Sequence, residues 1–300
     1  MREKHITILD GGMGRELKRI GAPFRQPEWS ALALMQTPEL VREVHAHFLE
    51  AGASVITTNA YALVPFHIGE KTFNEQAFKL AETAARLARE AVTAQQAKQS
   101  STLTVAGCIP PAFGSYRPDL FDASRLSEIL SPLIDAQAPY IDIWLIETAS
   151  SVEEAEAVVS LIKTLSSRPI WLSFSLQNRA SSDEPLTLRS GEPLSDIAYL
   201  LSHVDSVLFN CSQPEEMESA IAITRQMNAT ITIGAYANSF SERKRSHEAN
   251  ALLSELRDDV TPERYLDYVQ TWIAAGADIV GGCCGIGPEH IKTISAFVGK

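Results

Sequence analysis

The sequence predicts an α/β fold: a single-domain (β/α)8 TIM barrel with its active site at the C-terminal ends of the strands. Three observations predict it. Eight short β-rich apolar runs alternate with longer helical patterns along the chain. At 300 residues the chain suits a closed α/β barrel of about 250 residues plus insertions. No linker rich in Pro, Gly or Ser divides it, so residues 1–300 read as one domain. An open doubly wound sheet is the competing arrangement.

The first four runs are residues 6–10, 54–59, 102–107 and 142–147. The second four are 169–174, 206–210, 230–234 and 278–281. Each is rich in Ile, Val, Leu, Thr or Trp, the residues that pack well on a pleated surface. Helical patterns follow at 38–51, 73–98, 123–138, 151–166, 194–202, 214–227, 261–275 and 288–298. Pro38, Pro214, Pro262 and Pro288 sit near helix starts, where a missing N–H costs nothing. Gly52 and Gly276 stand just past helix ends. Ala51-Gly-Ala-Ser and Ala275-Gly-Ala-Asp read as one helix-to-strand turn used twice. Two long connections, 110–121 after the third run and 177–193 after the fifth, would leave the C-terminal face, where active-site loops lie.

Hydrophobic residues make up 45% of the chain, enough for a large core. There is no apolar run of the roughly 18 residues that a membrane span needs. Residues Met1–Ile8 enter a strand-like run without the apolar region of a signal peptide, which points to a cytoplasmic protein. The net charge of −11 disfavours nucleic acid or an anionic membrane as partner and leaves small molecules. The one basic run, Arg243-Lys-Arg245, is flanked by Glu242 and Glu248 and reads as a solvated segment. Four cysteines in such a chain do not suggest a disulfide framework.

The chemistry concentrates at the ends of the runs. Ile279-Val-Gly-Gly-Cys-Cys-Gly285 places two adjacent cysteines among glycines. In a regular strand Cys283 and Cys284 would face opposite ways, so both reach one metal only if the strand has already ended. Cys211 closes the sixth run, one strand away. Three thiolates with an open fourth position describe a reactive zinc site rather than a closed structural one. Buried thiols acting as small hydrophobes are the alternative, and the preferred reading for Cys108.

Asp10 ends the first run and opens Asp10-Gly11-Gly12-Met13-Gly14. It reads either as a site carboxylate or as a turn and cap residue. The glycines fit neither a Rossmann nor a P-loop pattern, but their amides could hold a carboxylate. Glu147 ends the fourth run; a carboxylate at that depth needs a partner, either a substrate ammonium or an internal cation. Tyr61, Asn59, Asn210 and Asn238 follow strand ends and read either as site lining or as local packing and backbone bonding. His45, His47 and His290 lack metal-ligand spacing and read as structural or exposed.

Asp10-Gly-Gly-Met-Gly, Thr57-Thr-Asn-Ala-Tyr61, Glu147-Thr148, Asn210-Cys211 and Gly281-Gly-Cys-Cys-Gly-Ile-Gly-Pro-Glu-His-Ile291 together resemble the zinc-dependent homocysteine S-methyltransferases. That family includes betaine- and S-methylmethionine-dependent enzymes and the homocysteine module of cobalamin-dependent methionine synthase. The resemblance implies a (β/α)8 barrel with Zn2+ held by Cys211, Cys283 and Cys284. It implies that Asp10, Gly11, Gly12 and Glu147 hold the amino-acid end of homocysteine, and that Tyr61 corresponds to the family tyrosine near the metal. Cys108 falls where relatives often carry a small residue and is not assigned to zinc.

A free alkyl thiol is mostly protonated at neutral pH, and zinc favours the deprotonated form. The expected reaction is methyl transfer from a sulfonium donor, S-methylmethionine or S-adenosylmethionine, to homocysteine, forming methionine. The chain has no added folate or cobalamin module, and it is shorter than expected for a betaine-type enzyme. Betaine, another methyl donor or another thiol acceptor on the same barrel is the alternative. A cationic donor favours aromatics, which Phe113–Phe121 and Tyr236–Phe240 could supply. Two other classes stay open: a zinc lyase or hydrolase, and a structural zinc closed by Cys108.

Overall fold

The computed structural model describes residues 5–99, 102–181, 183–241 and 255–299. The basic run at 243–245, with Glu242 and Glu248, and the first four residues lie outside them. Eight parallel strands form the framework: β1 (Thr7–Ile8), β2 (Val55–Thr57), β3 (Thr104–Ile109), β4 (Ile143–Ala149), β5 (Ile170–Phe174), β6 (Ser206–Asn210), β7 (Thr232–Tyr236) and β8 (Ile279–Val280). They pair in the order β1-β8-β7-β6-β5-β4-β3-β2. A parallel bridge between Leu9 and Val55 joins the two edges into a nearly closed barrel. The Ser54 N–H donates to the Ile8 carbonyl at 2.8 Å and the Asp10 N–H to the Val55 carbonyl at 3.0 Å, so few edge groups stay unpaired. The barrel reading, rather than the open sheet, is the observed fold.

The helices are α1 (Met13–Arg19), α2 (Ser30–Gln36), α3 (Pro38–Glu50), α4 (Pro65–Gln96), α5 (Leu126–Gln137), α6 (Val152–Leu165), α7 (Pro214–Met227), α8 (Pro262–Ala275) and α9 (Pro288–Val298). The sequence reading did not include α1 and α2. The expected helix at 194–202 is a 3-10 helix. The helix expected from 73 begins at Pro65, with Gly69 at φ 76 separating its first turn from the rest. The two helix-to-strand turns are indeed one motif. The Gly52 and Ala53 N–H groups bond the Leu49 and Phe48 carbonyls, and those of Gly276 and Ala277 bond Ile273 and Trp272. Both glycines have positive φ, as this helix stop requires.

A repeated device locks the N-terminal end of the barrel. The polar residue before each even-numbered strand accepts a backbone N–H from the preceding odd one. Ser54 takes that of Ile8 at 3.1 Å, Asp142 that of Val105 at 2.8 Å, Asp205 that of Ile170 at 2.8 Å, and Asp278 that of Ile233 at 3.0 Å. Arg89 and Arg225 pair with Asp142 and Asp278, each at 2.8 Å. This end fixes register, and the opposite end carries chemistry.

Side chains alternate along every strand, and the alternation decides what faces inward. Val55, Ala106, Leu145, Trp171 and Leu208 pack in the barrel interior with Leu9, Ile143 and Ile279. Two residues further along the same strands stand Thr57, Cys108, Glu147, Ser173 and Asn210. One pleat above an apolar layer, the interior therefore turns polar. That polar layer is the floor of the site.

Candidate active site

A pocket opens above this layer, lined by residues from the ends of β1, β2, β4, β6, β7 and β8 and the loop after β3. Asp10, Gly11, Gly12, Asn59, Tyr61, Glu147, Asn210, Cys211, Cys283 and Cys284 all line it. The structure thus brings together ten of the eleven residues singled out from the sequence; Asn238 is the exception. Its side-chain oxygen accepts the Phe240 N–H at 3.1 Å, making a local turn behind the wall.

The three sulfurs of Cys211, Cys283 and Cys284 lie within 4.8 Å of one another. β8 ends at Val280, so the double cysteine lies past the strand, while the Cys283 N–H still bonds the Ala237 carbonyl at 2.9 Å and ties the cysteine loop to the end of β7. Cys211 has φ 49, which turns its backbone out of β6. Tetrahedral zinc with Zn–S bonds of about 2.3 Å would set the sulfurs roughly 3.8 Å apart, so the cluster fits such an ion with little movement. The hydrogen bond with Cys283 lowers the Cys211 thiol, but the bond with Cys284 and burial outweigh it and push it up to about 12. Cys283 is pushed up too, by its bonds to Cys211 and Cys284 and by burial; crowded thiols that resist ionisation are what a soft cation would relieve.

Asn210 holds this corner in place. Its side-chain oxygen accepts from the Thr148 N–H at 3.1 Å and the Ser173 hydroxyl at 2.8 Å, and its amide donates to the Thr148 hydroxyl at 2.9 Å. Thr148 itself has φ 60. Among the described residues, the non-glycine residues with positive φ are Trp29, Tyr116, Thr148 and Cys211, and all four line this pocket. Such backbone persists only where surrounding contacts over-determine it, and it gathers at functional sites.

Two carboxyl groups share the floor, and among the described residues no cation pairs with either. Asp10 accepts the Thr57 N–H at 2.8 Å and the Thr57 hydroxyl at 3.3 Å. Burial raises it to about 8, partly offset by those bonds and reinforced by Glu147. Glu147 lies inside β4 rather than at its end. Burial raises it to about 7 against the opposing Cys108 hydrogen bond. The Cys108 thiol donates to Glu147 Oε2 at 3.0 Å, and the Tyr236 hydroxyl donates to Oε1 at 3.4 Å. Burial and the neighbouring carboxylate push the Cys108 thiol well up, so it stays a donor. Thr58 and Gln137 fix Cys108 through its N–H and carbonyl. Cys108 therefore serves Glu147, not the sulfur cluster. Cys108→Ala should raise KM for an ammonium-bearing substrate about 10-fold, and Cys108→Ser should restore most of it, as steady-state kinetics would show.

The raised carboxyls also make stability depend on pH. Both bind protons more tightly folded than unfolded, where 3.8 and 4.5 apply. Glu154, raised to about 7 by burial at the start of α6, acts in the same direction. The unfolded state then holds fewer protons, so stability falls as pH rises from about 4 through about 8. Melting temperatures without ligand should decline across that window, and Asp10→Asn should flatten the decline.

The glycines act through close approach. A Cβ on Gly12 would sit 2.8 Å from the Cys283 carbonyl, and one on Gly11 would collide with Ile286 and Phe48. The Gly12 N–H donates to the Ile286 carbonyl at 2.8 Å, which braces this loop against the cysteine loop. Asn59 donates to the Ser30 carbonyl at 3.1 Å, which anchors the start of α2. The Tyr61 hydroxyl shares a hydrogen with Ser115 at 2.5 Å. Of the expected aromatics, Tyr116, Tyr236 and Phe240 line the pocket, whereas Phe113 and Phe121 pack edge-on against each other. Sequence reading missed Phe24, Trp29 and His67 on the wall; Ser115 and Tyr116 belong to the 110–121 connection and Thr148 to the Glu147-Thr148 pair, none of them given a role of its own. His47 bonds Glu16, His290 bonds the Val260 carbonyl, and burial drives His45 down to about 3, which makes all three structural.

Among the described residues no helix is long and apolar enough to cross a membrane. The family model described as homocysteine S-methyltransferase matches residues 7–298. A homocysteine S-methyltransferase of Escherichia coli is 29% identical over 98% of this chain and 96% of its own length. A selenocysteine methyltransferase of Astragalus bisulcatus is 27% identical, covering 96% and 91%. The crystal structure of the E. coli homocysteine methyltransferase MmuM in its metallated form superposes with a TM-score of 0.80 at 28% identity, covering 98% and 97%. The chain belongs to the homocysteine S-methyltransferase family and is a methyltransferase.

Proposed function

We propose that this enzyme transfers a methyl group from a sulfonium donor, S-methylmethionine or S-adenosylmethionine, to L-homocysteine, with zinc held by Cys211, Cys283 and Cys284. One observation carries the reading: three sulfurs within 4.8 Å of one another share a pocket with two buried carboxyls. Bound there, zinc would supply the Lewis acidity that keeps the acceptor thiol deprotonated and nucleophilic. Asp10 and Glu147 would take the homocysteine ammonium and thereby aim its sulfur at the cysteine cluster. With that ammonium present both carboxyls ionise and their pairing offsets their burial. Asn210 keeps Cys211 and Thr148 in their turned backbone, and Tyr61 stands in the same wall. The sulfur lone pair forms the new S–CH3 bond while the donor's sulfonium S–CH3 bond breaks; its electron pair stays on the leaving thioether. No proton moves in that step, so positioning is the main demand. The aromatic wall of Phe24, Trp29, Tyr116, Tyr236 and Phe240 supports a cationic donor over a neutral one. We read the enzyme as cytoplasmic, acting on small molecules.

The test is zinc content measured together with product formation from homocysteine, with S-methylmethionine, S-adenosylmethionine and betaine side by side. About one zinc per chain and methionine from a sulfonium is the expected result. Methionine from betaine alone would overturn the donor. Bound zinc without homocysteine turnover would move the reaction to another acceptor, such as the selenocysteine in the Astragalus relative's name.

A further inference from the structure

We infer that Arg15 binds the carboxylate of the methyl donor and so selects donors that carry one. The inference rests on the sulfonium reading above and extends it to the donor's other end. Arg15 is the single lysine or arginine among the described residues lining the pocket, and the carboxyls there are Asp10 and Glu147. The guanidinium carbon lies 5.8 Å from the centre of the Phe240 ring. Phe240 is only 2% exposed, so this cradle is fixed rather than a loose surface contact. On the other side, Phe24 packs over Gly14, where a Cβ would come within 2.6 Å of its ring, and Phe24 meets Trp29 edge-on at 5.8 Å.

The pocket is therefore electrically divided. Its carboxyls occupy the sector from β1 to β4, where Asp10 bonds Thr57 and Glu147 bonds Cys108. Arg15 lies on α1 against Phe240, which follows β7, on the flank that also carries the β8 cysteines. An acceptor with its ammonium between Asp10 and Glu147 and its thiol at the cysteines fills the acidic sector. In-line transfer then requires the donor to enter from beyond that sulfur, on the Arg15 side. S-Methylmethionine and S-adenosylmethionine each bring a carboxylate as well as the sulfonium. A carboxylate entering a largely apolar wall needs a partner, and a guanidinium offers a planar, two-toothed one. The aromatic rings would meet the sulfonium while Arg15 holds the carboxylate.

Steady-state kinetics on the full zinc-loaded chain test this, with Arg15→Gln and Arg15→Lys beside the unaltered enzyme. KM is measured separately for S-methylmethionine and for homocysteine, and trimethylsulfonium serves as a donor without a carboxylate. Arg15→Gln should raise KM for S-methylmethionine about 30-fold and leave KM for homocysteine within about 3-fold. Arg15→Lys should recover part of the loss, and any trimethylsulfonium turnover should not fall. An equal rise in homocysteine KM would place Arg15 on the acceptor and overturn the assignment. Unchanged KM values in an active variant would overturn it alone. Failure of the unaltered enzyme with every sulfonium would instead remove the reading beneath it.

Discussion

Cys283→Ala will remove stoichiometric zinc and methionine formation together. Cys283, Cys284 and Cys211 form a three-sulfur cluster, and the described residues place no further metal-ligating group in it. Cys108, the remaining cysteine, points its thiol at Glu147. With one sulfur gone the site has two, too few to hold a zinc while leaving a position for substrate. Turnover should fall about 1,000-fold or more, on the order of 4 kcal/mol in the barrier. Metal analysis after dialysis and a product assay on the same sample decide it. A variant that keeps both zinc and activity would refute the three-cysteine site. A melting curve near the parent's would show that the barrel survives, because Cys283 only borders the interior cluster.

Glu147→Gln should be nearly as damaging, but through binding. The substitution keeps size and removes charge. It also sets an amide N–H2 against either the Cys108 thiol or the Tyr236 hydroxyl, both of which now donate to the carboxylate. KM for homocysteine should rise about 100-fold, within the roughly 2–5 kcal/mol expected when one partner of a buried charge pair is lost. KM for the donor should move little, since the donor does not use this carboxylate. Loss confined to kcat would show that Glu147 does not hold the ammonium.

Much of this arrangement was legible in the chain. The eight apolar runs and the turns at Gly52 and Gly276 rest on local chemistry: strand alternation, the proline N–H, the glycine helix stop. The cysteines and Asp10 were legible because each ends a run, and a parallel barrel sends every run's end to one rim.

Other features were not. α1 is 7 residues long and follows glycines, so it has little helical signal of its own. It is held by Leu17 in the core and by the Glu16–His47 contact, 31 residues apart. Asn238 and Asn210 look alike in sequence, each near a strand end. One folds back on its own turn and the other bonds Thr148, 62 residues away. Cys108 read as a small buried residue; the parallel pairing of β3 with β4 is what sets its thiol under Glu147.

The sequence by itself determined the strand order along the chain and the chemical character of each strand's end, because both follow from residue type and periods of two and 3.6. The tertiary structure alone decided which polar groups meet, which backbone turns are held at positive φ, and where Arg15 lies relative to the acidic floor. Those depend on register and loop packing between segments tens of residues apart, and no local pattern encodes them.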